Sequence, residues 1–574
     1  MIKHWIARGV LAWVAILGSA CAAPQPADQS RPAAIDTRPR AALKTLTIGY
    51  ETEPLNLVIQ LAGQFGSQGG TELQLAVHQR LAGYDDRGAI RPMLTAELPA
   101  QDRGTWIINA DGTMTTTYKL RPNVAWHDGA PFTAQDVILA WRVTSDPEIP
   151  TTQRRVSSQI SGMDALDDLT LIMRWKGAYP FANVITEDDL GPLPMHLMGP
   201  LYETDKERFV QSPHWAREFV GLGPFKVTEW ESGSHMVLGA NEQFWGGRPK
   251  LDRIIVRFIE DDSAAVAQLL AGAVDGDIAE TVQFGQAMFV NREWEAAGRK
   301  PALVVQPTKW RFLFTQFRDP KPQELLDVRA RRGLLHAIDR QTLLDALVEG
   351  RTLVSDSMIP PTDPKYDWAK DSMARYSYDA TRAEQLLAEV GWRRGADRSL
   401  VDAAGQRVVI PAWTQPGDTN GQELSIIADQ WRSLGATVEE SRLTTAQIRD
   451  PKYLVSFPGF VAAQIPLSFN NLMSRVNGAQ CPVEETRWAG SSWGCYQNAD
   501  MDAAIRGLQG SIDFTEQQRH WRDLVRIQSQ EVPVLPLYFN VTVTLFREGV
   551  LGIKGHTVPK TAATWNSAEW DIAS

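Results

Sequence analysis

Apolar and polar residues alternate most clearly between residues 221 and 277, and this alternation predicts a hairpin, a loop, a strand and a helix in that order. Phe225 and Val227 begin a strand, residues 231–234 (ESGS) supply the turn, and residues 235–240 continue as the second strand. Residues 241–249 (NEQFWGGRP) are polar, then aromatic, then rich in Gly and Pro, which indicates a fixed loop.

A third strand and a helix complete this stretch. The run 254–258 (IIVRF) keeps the two-residue period of a strand. Asp262 is expected to cap a helix that carries Val266 and Leu269 on one face and ends at Gly272.

An earlier strand, at residues 46–50, ends in a turn that holds the carboxylates of Glu51 and Glu53. Strand ends often border a ligand cleft. Solvated acids at a turn are the other interpretation, and for Glu51 it is at least as good.

The segment LRPNVAWHDGAPFTAQDV, residues 120–137, predicts a tight turn followed by a helix. Thr133 and Asp136 have the spacing of a capping box. His127 and Asp128 are adjacent, and adjacent strand residues point to opposite faces, so we interpret His127 as structural rather than catalytic.

The size and composition of the chain favour a large globular protein. With 574 residues the chain exceeds the length at which a single core stops growing, so two or more lobes are expected. Twenty Trp raise the chance of an aromatic-lined pocket. A net charge of −10 disfavours a nucleic-acid partner, which requires a basic face.

The first residues have the pattern of an export signal. Lys3 and Arg8 precede a short apolar run at residues 10–17, and Cys21 follows small residues, so residues 1–20 resemble a bacterial lipoprotein signal peptide. Lipid attachment to Cys21 and a flexible tether over residues 21–43 are expected. Gly18 stands where the lipoprotein pattern has Leu, which leaves ordinary cleavage nearby open.

Cys481 and Cys495 remain as an even pair when Cys21 carries lipid. An even count in an oxidising compartment favours a disulfide. A metal site is the weaker alternative, because no Cys-x-x-Cys and no histidine at ligand spacing accompanies the pair.

Several strings in the chain resemble one family. The string at residues 120–137, GLGPFKVTEW with NEQFWGGRPKLD, and LLAGAVDGD are similar to the family 5 extracellular solute-binding proteins of ABC transporters, which include dipeptide and oligopeptide binders. An arginine-rich helix at residues 327–340, a helix capped by Asp379 and the string PVLPLY at residues 533–538 extend the likeness. It covers nearly everything after residue 44.

The resemblance implies an α/β periplasmic-binding-protein fold with two lobes, a hinge and a subdomain inserted in the first lobe. It places lobe I at residues 44–80, 215–305 and 536–574, the inserted subdomain at residues 81–214, and lobe II at residues 306–535. Hinge crossings are then expected near residues 304–307 and 532–536.

The resemblance also implies a function. A monomer in the periplasm or at the cell surface would capture a peptide or another small polar solute between its lobes. It would deliver the solute to the permease and ATPase of an ABC importer, without cofactor, resident metal or catalysis.

Peptide-binding relatives carry a Trp-x-x-Asp string in lobe II whose carboxylate pairs with the ammonium group of the peptide. Residues 457–471 of this chain contain no Asp, and the best placement puts Gln464 there. A buried ammonium would lose its charge partner, which puts peptide binding in doubt. Gln464 suits a sugar, an amide, an opine-like conjugate or a peptide held differently; a surface amide is the equal alternative.

Five further residues complete the candidate ligand site. Glu53 is a candidate because its turn corresponds to a first-lobe segment that borders the site in the family. Trp413 and Gln415 lie in a loop after a predicted strand, where family members contact ligand. Phe457 and Phe469 are candidate apolar walls, and either can instead be a core residue.

A secreted serine hydrolase is the alternative function. Ser492 lies in a Gly-x-Ser-x-Gly string, residues 490–494, but the string lacks the preceding strand of a nucleophile elbow. The histidines are scattered, so a metal complex stays open only as a transported ligand.

Overall fold

The computed structural model describes residues 43–58, 70–151, 154–185, 190–278, 281–556 and 562–573. The predicted signal peptide, Cys21 and the linker up to residue 42 lie outside these ranges. No helix within them combines the length and the apolar character needed to cross a lipid bilayer.

The strands are numbered here in chain order. They are β1 Thr45–Tyr50, β2 Ala82–Tyr84, β3 Ile90–Pro92, β4 Trp106–Ile108, β5 Met114–Lys119, β6 Ile160–Asp167, β7 Thr170–Trp175, β8 Phe225–Glu231, β9 His235–Ala240, β10 Arg253–Phe258, β11 Gly276–Asp277, β12 Ala302–Thr315, β13 Arg393–Arg394, β14 Leu400–Val401, β15 Val409–Thr414, β16 Thr437–Arg442, β17 Phe460–Pro466, β18 Val534–Phe546, β19 Val550–Leu551 and β20 Asp571–Ile572.

The α-helices of the described residues are numbered in the same way. They are α1 Gly70–Val77, α2 Ala134–Ser145, α3 Arg154–Ser157, α4 Met195–Thr204, α5 Lys206–Val210, α6 Asp262–Ala271, α7 Phe284–Ala296, α8 Val328–His336, α9 Arg340–Val348, α10 Tyr366–Ala369, α11 Ala380–Glu389, α12 Asp418–Ser433, α13 Thr445–Arg449, α14 Pro451–Leu454, α15 Phe469–Ser474, α16 Ala499–Gly510 and α17 Phe514–Glu531.

One ten-stranded sheet runs through the molecule in the order β16-β15-β17-β12-β18-β11-β1-β10-β9-β8. Its half from β11 to β8 is the sheet of lobe I, and its half from β16 to β17 is the sheet of lobe II. The long strands β12 and β18 pair antiparallel and belong to both halves. The fold is therefore two-lobed, as expected.

The two lobes are joined by a two-stranded ribbon. Residues 304–307 of β12 pair with residues 541–544 of β18 and with no other described strand, and we call this pair the hinge ribbon. The expected first crossing coincides with it, but the second lies later than residues 532–536. Pro536 pairs with Phe312 inside lobe II, beside a register shift that lets a strand accommodate proline.

The sheet of lobe II is buried on both faces because its side chains alternate between two cores. Leu313 and Leu535 face one core, which contains Trp431 of α12. Trp310 and Phe312 face the other, which contains Trp521 of α17. Burial on both faces explains why these strands are apolar at nearly every position.

Residues of the 81–214 segment, predicted as the inserted subdomain, share a core with the half-sheet from β11 to β8. A four-stranded sheet, in the order β4-β5-β7-β6, forms the centre of this segment. Helix α2 directs Val137 toward the core of this sheet and Leu139 and Val143 toward the core of lobe I. The capping box at its start is confirmed, with the Thr133 backbone N–H donating to Asp136 Oδ2 at 2.7 Å.

The stretch of residues 221–277 folds as its alternation predicts. Strands β8 and β9 form the hairpin, β10 follows, and α6 ends at Gly272, which has φ +71°. The predicted cap is wrong by one residue: Asp261, not Asp262, accepts a hydrogen bond from the Ala264 N–H at 2.7 Å. Two consecutive Asp residues gave equal signals for the start of the helix.

His127, from the predicted inserted subdomain, bonds to Gly221 and Gly223 of lobe I, and Asn241 supports Gly223 from within lobe I. We call these four residues the clamp. The Gly221 N–H donates to His127 Nδ1 at 3.1 Å. His127 Nε2 lies 3.1 Å from the Gly223 carbonyl oxygen, to which Asn241 Nδ2 also donates at 3.0 Å. An acceptor at Nδ1 and a donor at Nε2 require a neutral ring, so His127 is structural here.

Candidate functional site

The strand directions locate a cleft. β11 pairs antiparallel with the lobe I end of β18, and β1 is parallel to β11, so both strands run toward the hinge ribbon. β17 pairs antiparallel with the lobe II end of β12, so it runs toward the ribbon from the other side. In open α/β sheets, ligands bind beyond the carboxyl ends of the strands. The two half-sheets thus direct their ligand-binding edges at one gap beside the hinge ribbon.

The hinge ribbon has its own polar contacts. Thr542 Oγ1 of the ribbon lies 2.5 Å from Oγ1 of Thr308, the residue that follows the ribbon in β12. Gln306 accepts a hydrogen bond from the His556 N–H at 2.9 Å, which ties the C-terminal segment to the ribbon. The ribbon is only two strands wide, as a pivot between two lobes requires, and these contacts hold it in place.

Gln464 lies in β17, near its carboxyl end, on the lobe II side of the cleft. Its side chain is exposed, and its Oε1 accepts a hydrogen bond from Asn540 Nδ2 at 3.2 Å. In the sheet register Gln464 lies opposite Arg311. The structure therefore places Gln464 where a solute in the gap can reach it, and its role in binding stays a prediction.

A buried ionic network lies beside Gln464. Glu423 of α12 accepts hydrogen bonds from Arg311 Nε and from the Tyr538 hydroxyl, both at 2.8 Å. Burial alone lowers the pKa of Arg311, but the carboxylate of Glu423 outweighs it and raises that pKa above its usual value. Such a network fixes β12, β18 and α12 relative to one another beneath the cleft.

Trp413 and Gln464 pack on opposite faces of the lobe II sheet. Trp413 is half-buried and stacks on Tyr453 with ring centroids 5.2 Å apart. It borders the core that contains Trp521, whereas Gln464 shares its face with Arg311. Gln415 is half-buried in the loop that follows β15. Because Trp413 and Gln464 lie on opposite faces of the sheet, they can contact the same ligand only beyond the ends of their strands.

The two candidate phenylalanines differ in their surroundings. Phe457 is fully buried in the core of lobe II, the alternative that the sequence left open, and offers no surface to the gap. Phe469 is half-buried at the start of α15 and stacks on Trp521 at 5.3 Å. It also meets Phe181 of the inserted subdomain edge-to-face at 5.2 Å, so Phe469 makes a contact between the lobes.

Glu53 supports the β8–β9 hairpin. Its carboxylate accepts hydrogen bonds from Trp230 Nε1 at 2.7 Å, the Gly233 N–H at 2.8 Å and Ser232 Oγ at 3.0 Å. Partial burial opposes ionisation, but these three bonds outweigh it and hold the pKa of Glu53 below its usual value. The sequence indicated a carboxylate at a strand end but not that the carboxylate is already occupied by the protein.

The predicted disulfide is confirmed. Cys481 and Cys495 are bonded, with their Cα atoms 4.7 Å apart. Ser492, inside this loop, is 1% exposed, and its Oγ has no hydrogen-bond partner among the described residues. No strand precedes it and no base contacts it there, so the geometry contradicts the hydrolase interpretation.

The sequence analysis did not predict two features, a cluster of possible metal ligands and a cavity. Glu229, Glu231 and His235 of the β8–β9 hairpin bring three potential metal-ligand atoms within 4.8 Å of one another at an exposed site. A cavity of about 390 Å³ lies between the turn after β1 and residues 210–217. Alternation within the hairpin could have indicated the first group, whereas the second depends on residues far apart in the chain.

Comparison with known proteins agrees with this architecture. The model of the bacterial extracellular solute-binding proteins, family 5 Middle, matches residues 101–478, more than half of the chain. The oligopeptide-binding protein AppA of Bacillus subtilis is 22% identical over 473 residues, which cover 81% of this chain and 82% of AppA.

Solved structures with the same fold include two metal-complex binders. NikA from Brucella suis, in complex with Fe(III)-EDTA, has a TM-score of 0.74 at 18% identity and covers 92% of this chain and 99% of its own. NikZ from Campylobacter jejuni, in complex with Ni(L-His), has a TM-score of 0.70 at 20% identity, with 92% and 100% covered. The chain belongs to the bacterial extracellular solute-binding proteins of family 5.

Proposed function

We propose that this protein captures a small polar solute in the gap between its lobes and presents it to an ABC importer. The observation that carries the proposal is the shared sheet, in which parallel strands of both lobes end at one gap beside a two-stranded hinge ribbon. Members of the family are binding proteins rather than enzymes. A solute that contacts both lobes lowers the free energy of the closed form, which an importer can then recognise.

Gln464, Trp413, Gln415 and Phe469 are proposed as the lobe II contacts of the solute. All four lie at or beyond strand ends near the gap, and all four are at least partly exposed. The turn after β1 contributes from lobe I, with Glu53 holding the hairpin that borders it. Among the described residues Gln464 has no acidic neighbour in its own strand, so a neutral polar group of the solute fits it better than an ammonium group.

The names and titles of the relatives suggest two classes of solute, peptides and metal complexes. AppA is named an oligopeptide-binding protein, and NikZ and NikA hold metal complexes. Gln464 favours a sugar, an amide, an opine-like conjugate or a metal chelate over a free dipeptide, because it carries no charge for an ammonium group.

A ligand screen tests the proposal. Thermal unfolding and small-angle scattering would be followed with amino acids, short peptides, sugars, opine-like conjugates and metal chelates. A cognate solute at a hundred times its Kd should add about 2.7 kcal/mol to the free energy of unfolding and reduce the radius of gyration. If no member of so broad a panel produced either change, the proposal would fail; turnover of a bound compound would contradict it directly.

The membrane anchor is a separate proposal, supported by the sequence of the first residues alone. Lipid on Cys21 would hold the protein at the outer face of the cytoplasmic membrane or at the cell surface. Cys21→Ala should release the protein from the membrane fraction and abolish incorporation of labelled palmitate. An unchanged distribution in the variant would show ordinary signal cleavage instead.

A further inference from the structure

Asn540 connects the hinge ribbon to Gln464. It lies in β18 directly before Val541, the first ribbon residue of that strand, and its side chain is half-buried. Asn540 Oδ1 accepts a hydrogen bond from the Val541 N–H at 3.0 Å. Because a backbone N–H can only donate, this bond fixes which end of the Asn540 amide carries the oxygen.

The orientation of Asn540 determines that of Gln464. Asn540 Nδ2 can only donate, and it donates to Gln464 Oε1 at 3.2 Å. Gln464 Nε2 makes no hydrogen bond to any other residue that the structure describes, and the side chain is exposed. Gln464 therefore offers two N–H donors at the gap, while its oxygen already has a partner within the protein.

A buried acid on the same face of the sheet does not change this polarity. Glu423 is 0% exposed and accepts hydrogen bonds at 2.8 Å from the Tyr538 hydroxyl and from Arg311, the residue opposite Gln464 in the sheet. Its carboxylate is thus both inaccessible and paired. Since residues 457–471 contain no acidic side chain, an ammonium group of a solute would meet N–H donors at this edge.

A cation lies beside Phe469, another of the residues proposed to contact the solute. Lys365 is half-buried, and its Nζ lies 5.5 Å from the ring centroid of Phe469 and 5.7 Å from that of Trp521. Within the described part of the chain this Nζ makes no hydrogen bond and no ion pair. Ring faces attract an ammonium group but leave it N–H donors for an anion, so the charge here also favours a negative solute group.

From these groups we infer that the solute presents a carboxylate to lobe II, that the Nε2 group of Gln464 donates to it, and that Asn540 is the positioning residue that sets this polarity. The inference rests on the proposed capture of a solute in the cleft and names the chemistry of one end of that solute. A carboxylate has acceptors only, and hydrogen bonds to a charged acceptor are stronger than those between neutral groups.

Two probes of similar size test the polarity by calorimetry. N-acetyl-L-alanyl-L-alanine has a carboxylate and no ammonium group, whereas L-alanyl-L-alaninamide has an ammonium group and no carboxylate. The acid probe should bind the unmodified protein about tenfold more tightly than the amine probe, because only the acid probe supplies an acceptor at both of its ends. The acid probe should also reduce the radius of gyration.

Variants of Asn540 separate positioning from a merely structural role. Asn540→Ala lets the Gln464 amide rotate, so the tenfold preference for the acid probe should fall to about twofold. Asn540→Asp has only acceptors in place of Nδ2, so it should turn Gln464 Oε1 toward the gap and reverse the preference. Gln464→Ala, at an exposed position that folding does not require, should weaken binding of the acid probe about tenfold. Asn109→Ala is the matched control, because Asn109 Nδ2 donates to Thr113 Oγ1 in an exposed turn far along the chain, and it should change neither affinity.

Three results would overturn the inference. They are equal binding of the two probes, binding of neither probe at millimolar concentration, and an unchanged preference in both Asn540 variants. Each of these would leave the proposed capture of a solute standing, because a sugar or a metal chelate from the ligand screen can still close the cleft. The capture proposal fails separately, when no solute of that screen closes the lobes.

Discussion

The clamp and the lobe II side of the cleft use their polar side chains in opposite ways. In the clamp, both ring nitrogens of His127 and the amide of Asn241 are paired with backbone groups of lobe I. At the cleft, Gln464 is exposed and makes one bond of 3.2 Å to another side chain. The clamp is complete without a ligand, whereas the side chain at the cleft retains hydrogen-bonding capacity.

This difference explains why the family is easier to identify than the solute. The strings HDG and GLGP meet in the clamp, so the most distinctive part of the sequence encodes the attachment of the inserted subdomain. Solute choice depends on side chains that the fold does not require, and a change at Gln464 can alter specificity with little effect on folding.

The largest effect should come from the close approach in the clamp. A Cβ on Gly223 would lie 2.3 Å from the Val77 carbonyl carbon and 2.5 Å from the His78 nitrogen, both backbone atoms that cannot rotate away. Gly223→Ala should therefore lower the free energy of unfolding by about 3 kcal/mol. Urea unfolding measures the loss.

Gly285→Ala is the matched control, because a Cβ there meets nothing within 4 Å. That substitution lies in helix α7 and should be neutral or slightly stabilising. Equal losses for the two variants would show that crowding at the clamp does not matter.

The second-largest effect should be a loss of folding stability in acid, caused by His78 and His127. Burial lowers the pKa of His78 to about 3 and that of His127 to about 4, so both are neutral in the folded protein. Unfolded, each protonates below about pH 6.5, so the stability they contribute is present above that pH and is lost as pH falls toward the folded pKa values. Each should account for a loss of about 2 kcal/mol between pH 7 and pH 5.

Urea unfolding of His127→Gln at both pH values isolates one of these terms. The variant should be less stable at pH 7 but should lose about 2 kcal/mol less than the unmodified protein on going to pH 5. An identical pH dependence in both proteins would assign the acid sensitivity to other groups.

Local features of the fold could be predicted from sequence because they depend on neighbouring residues. The β8–β9 hairpin follows from alternation and an ESGS turn, and the end of α6 follows from Gly272. The exchange of Asp261 for Asp262 as cap shows the limit of such signals, since adjacent residues of one type are equivalent in composition and differ only in backbone geometry.

Features that join distant segments could not be predicted in this way. The second hinge crossing lies after Pro536 because it is fixed by the pairing of β12 with β18. The sequence did not indicate this, because a proline usually marks the boundary of a strand. The occupation of Glu53 by the hairpin and the opposite faces of Trp413 and Gln464 also depend on strand order. A single sequence does not contain that order; the likeness to a family supplied it only in outline.

A smaller effect is expected where the lobes touch. Phe181 and Phe469 meet edge-to-face at 5.2 Å, and such pairs contribute about 0.5–1.5 kcal/mol. Phe181→Ala should open the gap, which would enlarge the radius of gyration without solute and weaken solute binding. A double-mutant cycle with Phe469→Ala measures the pair itself, and strict additivity would mean that no contact between the lobes is being lost.

The smallest effect on stability and the sharpest effect on binding should come from Gln464. Its side chain is exposed, so Gln464→Ala should change the free energy of unfolding by less than about 0.5 kcal/mol. Affinity for the cognate solute should nevertheless fall about tenfold, since a hydrogen bond in the closed cleft is lost.

Gln464→Asp is the converse variant: a carboxylate there should create affinity for free dipeptides and tripeptides, which the unmodified protein is expected to bind weakly or not at all. Micromolar calorimetric binding of either peptide class by the unmodified protein would show that an ammonium group is held without this acid, and that the cleft of lobe II selects its solute by other residues.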